Sequence, residues 1–186
     1  MVVTPSGYPV RHKTMYKIDN LDKVIKLRDV PQSSVGAPNP IVLAGEHDVL
    51  ITYYLQNTPQ EWDGTSVKVV GIDTTGEPVT IVKFNRYYAH MFGPPNDEAF
   101  EGHPLSNRGL EPYGVFEVQN SSWLRKLEKM NSVHPYHDKE RFMENMKHFV
   151  FSFHDTTFEC IAEGFNVEVA SGSVKSMVPR MLESIR

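Results

Sequence analysis

The segment HFVFSFHDTTFECIAEGF, residues 148 to 165, constrains the fold of this chain more than any other. Phe149, Phe151 and Phe153 recur at period two, so in an extended strand all three rings leave one face while His148, Val150, Ser152 and His154 leave the other. A helix has a period of 3.6 and cannot collect them. The stretch His154-Asp155-Thr156-Thr157 supplies turn chemistry, and FECIAEGF returns. A hairpin with a phenylalanine core face is expected, and NVEV should continue it past a bend at Gly164.

Other segments fit the same architecture. DVLITYYL, residues 48 to 55, crowds β-branched and aromatic residues without a helical period and reads as a buried strand. SVKVVGI and VTIVKF flank Asp73-Thr74-Thr75-Gly76-Glu77-Pro78 and read as a second hairpin, while MYKI and VIKL read as short strands. A cap signal at Asn120 to Ser122 precedes an apolar stripe of Trp123, Leu124, Leu127 and Met130, which predicts a helix. Asp138 can cap another, with Phe142, Met143 and Met146 inward, and a last short helix is expected to start near Pro179. These elements predict a single α+β domain, a curled and mainly antiparallel sheet with two to three short helices.

The chain length of 186 residues suffices for a core without staples. Cys160 is the only cysteine and reads as a small buried hydrophobe in a sheet, so no intramolecular disulfide can form. The N-terminal MVVTPSGYPVRHK lacks the apolar run of a signal peptide, and no stretch of 18 apolar residues follows. A cytoplasmic protein without membrane association is expected. Net charge is −4, which disfavours nucleic acid as a partner. Residues 46 to 117 concentrate acid, with eleven Asp/Glu against four Lys/Arg, a balance of −7 that suits a cation or a basic partner.

Phosphate-loop and dinucleotide fingerprints are absent, as is a serine elbow, so no nucleotide cofactor is expected. His134-Pro135-Tyr136-His137 spaces two histidines three apart, but no further ligand follows at a defined interval, and no metal site is predicted.

The candidate site is the stretch between Gly93 and Gly114, which holds four Gly and four Pro in 22 residues and excludes regular structure. Phe100, Leu105, Leu110 and Tyr113 can anchor it to the body as an ordered loop. Around it, His90, Asp97 and His103 have the types for acid–base chemistry, with a histidine moving the proton and Asp97 orienting the ring. Arg86, Tyr88, Asn96, Arg108, His154 and Glu159 are candidate ligand-binding residues. Glu159, on the returning hairpin strand, is expected to approach His154. Two functions follow: a module that binds a small molecule or protein through the 93–114 loop, or a small acid–base enzyme of hydrolase, lyase or isomerase type.

Overall fold

Phe149 and Phe151 leave one face of a strand, Phe153 joins the same core just past the strand's end, and the chain is arranged around them. The computed structural model describes residues 16–57 and 69–185. Its strands are β1 (Lys23–Lys26), β2 (Ile41–Ala44), β3 (Val49–Tyr54), β4 (Glu77–Asn85), β5 (Ala89–Gly93), β6 (Gly114–Gln119), β7 (Lys147–Ser152), β8 (Thr157–Ala162) and β9 (Gly164–Gly172). The helices are α1 (Ser122–Asn131), α2 (Lys139–Asn145) and α3 (Val174–Glu183). The fold is α+β with antiparallel pairing throughout.

The strands form two open sheets, one ordered β1-β6-β7-β8-β5 and the other β2-β3-β4-β9. Their facing sides share one core, in which Phe149 and Phe151 of β7 and Phe153 just past its end meet Val49, Ile51 and Tyr53 of β3 and Phe84 of β4, with Phe158 and Cys160 of β8. Burial of the Cys160 thiol pushes its pKa up. On the outer face of the first sheet, Phe116, Val118, Val150 and Ile161 pack under Trp123 and Leu124 of α1 and under the loop residues Phe100, Leu105 and Leu110. On the outer face of the second, Leu50, Tyr54, Val79 and Ile81 pack under Val174, Met177 and Met181 of α3.

The sheets are joined at one corner. β4 turns into β5 through Arg86 to Tyr88, β8 turns into β9 through Glu163, and the two bent segments stay paired, β4 with β9 and β5 with β8. The expected bend at Gly164 is therefore the place where the chain leaves one sheet for the other. Arg86 turns this corner with φ +47, in the left-handed region that non-glycine residues seldom adopt.

Three local expectations are corrected. Among the described residues β4 pairs with β3 and β9, and Val69 to Ile72 of SVKVVGI are not strand, so these four residues form no hairpin with β4; residues 66–68 of that segment lie outside the described residues. In MYKI, Met15 lies outside the described residues and Tyr16 to Ile18 are not strand either. The last helix begins at Val174, where the side chains and backbone of Ser173 and Ser176 form a reciprocal cap, so Pro179 lies inside it. The caps predicted for α1 and α2 are present, Ser121 accepting from the Leu124 amide and Asp138 from the Arg141 amide. Met130 departs from the expected α1 stripe and is 62% exposed.

Candidate functional site

Two turns of 3-10 helix, Phe100–Gly102 and Ser106–Arg108, shape the loop between β5 and β6, and Phe100, Leu105 and Leu110 are buried beneath it. The loop's one buried polar side chain among these anchors is His103, 2% exposed. Its Nε2 lies 3.2 Å from Glu159 Oε1, and its Nδ1 accepts the Leu105 amide at 3.1 Å. An acceptor role for Nδ1 leaves the ring proton on Nε2, which donates to the carboxylate.

Glu159 gathers two further donors. His148 Nε2 stands 2.8 Å from Oε2 and the Tyr16 hydroxyl donates to the same oxygen at 2.7 Å. The β7–β8 register sets Val150 opposite Glu159 and His148 opposite Ile161, so His148 and Glu159 are diagonal neighbours on the outer face. His148 Nδ1 meets the Ser121 hydroxyl at 2.8 Å, the same hydroxyl that caps α1. Burial alone would raise the Glu159 carboxyl, but the hydrogen bonds from His103 and His148 outweigh it and bring the pKa down to about 2. Burial, and then the Glu159 charge, drives the Tyr16 phenol up. The side chains of Glu159, His103 and His148 have no exposed surface. A carboxylate this enclosed ties the loop, the start of α1 and the Tyr16 segment to the sheet, and offers no face to a substrate.

The expected approach of Glu159 to His154 does not occur. His154 stands past the end of β7, with Nδ1 3.0 Å from Asp155 and Nε2 3.9 Å from Asp97. Asp97 accepts a hydrogen bond from the Tyr113 hydroxyl, which lowers the Asp97 pKa and raises that of Tyr113 to about 12. The bond to Asp155 raises the His154 pKa. This second group of acids, histidine and tyrosine lies open at the base of the loop.

The remaining candidates are dispersed. His90 pairs with Cys160 across the β5–β8 ladder, stacks on Phe158 at 5.9 Å and touches the Tyr87 hydroxyl at 3.2 Å, and burial lowers its pKa. It shares the inner face with Cys160, whereas Glu159 and His103 meet on the outer face. Asn96 accepts the Ala99 amide and Arg108 donates to the Asp19 carbonyl, so both secure loop backbone. His90, Asp97 and His103 thus do not converge.

Arg86 and Tyr88 lead to a different place. Tyr88 meets Phe142 of α2 edge-on at 5.1 Å, and Phe142 lines a cleft of about 230 Å³ between the α1–α2 connection and the corner of the two sheets. Arg86, ion-paired with Glu163 at 3.2 Å, lines it too, together with His134, Tyr136, His137 and Arg141. His137 is held at both nitrogens, by Glu128 at 3.0 Å and by Asn131 at 3.0 Å, so it has no free nitrogen for proton transfer. The Arg141 guanidinium has no hydrogen-bond or ion-pair partner among the described residues. Among those residues no three His, Cys, Asp or Glu side chains are grouped as metal ligands.

Sequence reasoning missed Tyr16, His148 and Arg141. The hairpin register contained the signal for His148, because a turn at residues 154–157 brings it diagonal to Glu159. No local signal marks Tyr16, which lies 143 residues from its partner. Compared with models of protein families, with curated proteins and with solved structures, the chain has no significant match. No described helix is long and apolar enough to cross a membrane.

Proposed function

We propose that this protein is a binding module for a small anionic molecule, seated in the cleft at the corner of the two sheets. One observation carries the reading: Arg141, unpaired among the described residues, faces the same cleft as Arg86. Guanidinium groups recognise carboxylate and phosphate through paired hydrogen bonds, and Tyr136 and Phe142 supply flat apolar walls for the rest of the ligand. A volume of about 230 Å³ lies below the usual span of drug-sized sites, which suits a metabolite. Arg86 exchanges Glu163 for the ligand as it binds. The loop from 93 to 114 acts here as a brace for the sheet, not as the ligand-facing element. A reducing, cytoplasmic setting agrees with a lone, buried cysteine. Acid–base catalysis has less support, because His90, Asp97 and His103 are separated and His137 is held at both nitrogens.

The test is titration calorimetry with benzoate and phenyl phosphate, paired with thermal unfolding. Binding that weakens at least about tenfold in Arg141→Gln and Arg86→Gln, with Arg141→Gln unfolding within about 2 °C of the parent, supports the reading. Failure of both anions to bind, or an affinity in both variants equal to that of the parent, refutes it.

A further inference from the structure

β9 is an edge strand, and the usual protections of an edge are missing from it. It runs nine residues in unbroken register with β4, from Asn85↔Gly164 to Glu77↔Gly172, without a bulge. Its sequence GFNVEVASG has no Pro and no Lys, the residues that commonly blunt an exposed edge. Among the described residues no strand pairs with its other side. Val167 and Val169 are 36% and 57% exposed. Its one charged residue, Glu168, is ion-paired with Arg180 of α3, so two such edges can approach without like-charge repulsion.

We propose that β9 pairs antiparallel with β9 of a second copy of this chain, about a two-fold axis perpendicular to the sheet. Cross-strand neighbours must share a face, and the β4 register puts Phe165, Val167 and Val169 on the side of Phe84 and Val82, with Asn166 and Glu168 on the other. An axis through Val167 sets Val167 against Val167 and Val169 against Phe165 on the apolar side, and Glu168 against Asn166 on the polar side. The strand is its own complement in that register. On the polar side each Glu168 keeps Arg180 of its own chain as partner. Assembly stops at two, because the opposite edge of the same sheet, β2, is only four residues long.

Sedimentation equilibrium of the full chain over roughly 1–200 µM tests this, with twice the 21.2 kDa chain mass expected in the upper part of the range. Val167→Lys, which sets two ammonium groups against each other at the axis, should weaken the dimer at least about tenfold while leaving the circular dichroism unchanged. A covalent trap keeps the proposal testable if that variant misfolds. Under mild oxidation Val167→Cys should form an interchain disulfide, and Asn166→Cys, opposite Glu168, should not. A parent protein monomeric across the range, or equal cross-linking at both positions, overturns the proposal; a monomer would leave the edge to an extended peptide.

Discussion

Two groups of nearly identical chemistry lie along the same loop and behave in opposite ways. Glu159, His103, His148 and Tyr16 form a sealed carboxylate–histidine–tyrosine cluster; Asp97, His154 and Tyr113, with Asp155, form an open one. In the sealed group every hydrogen-bonding atom has a partner, so removing one group strands the others in a medium that cannot solvate them. In the open group water takes the place of any lost partner, and side chains that look catalytic contribute little to stability. Residue type alone does not separate the two; burial does.

The largest effect expected from breaking this contrast is that of Glu159→Leu. It leaves two histidines and a phenol without their acceptor and should cost about 3–5 kcal/mol in urea unfolding. A loss below about 1 kcal/mol would show that the cluster is dispensable.

The pH dependence of the parent protein comes next. The folded Glu159 pKa, about 2, lies below the ordinary 4.5, so its contribution is present above pH 4.5 and is lost as pH falls toward 2. Chemical unfolding midpoints across that window should fall in the parent, and the fall should be smaller in Glu159→Gln. His154 has the opposite sign. Its raised pKa gives stability that is present below 6.5 and is lost as pH rises through the folded value, a slight effect for an exposed group.

Tyr16→Phe removes one donor and keeps the ring stacked on Trp123, at 5.9 Å between centroids. About 1–2 kcal/mol should be lost, less than for Glu159→Leu because the carboxylate keeps both histidines. Asp97→Asn should shift the unfolding temperature by less than about 2 °C. The same variant should bring the Tyr113 phenol from about 12 back toward 10, which ultraviolet titration of the tyrosines will register.

How far the sequence revealed these features depends on the range of the forces involved. Period-two phenylalanines defined the β7–β8 hairpin because side-chain alternation is a local property, and the caps of α1 and α2 were legible for the same reason. The anchoring of the loop by Phe100, Leu105 and Leu110 was legible from their spacing within irregular backbone. What lay beyond reach was long-range. β4 finds its partners in β3 and β9, the latter more than eighty residues on, so the nearby turn at Asp73 to Pro78 misled. His103 was identified as polar and interesting, but whether it faced solvent or Glu159 depended on how the loop folds over the outer face of a sheet, which no local pattern encodes. Pro179 suggested a helix start, yet the Ser173 and Ser176 cap outweighed it five residues earlier.

The most direct test of the sealed cluster as a loop brace is amide hydrogen exchange followed by mass spectrometry in the parent and in Glu159→Gln. The Leu105 amide, bonded to His103 Nδ1, should exchange among the slowest outside the sheets in the parent. In the variant, residues 100–110 should exchange at least about tenfold faster while β3 and β4 change less. Unchanged protection of the loop, or an equal rise throughout the chain, would contradict the claim that this carboxylate holds the loop in place.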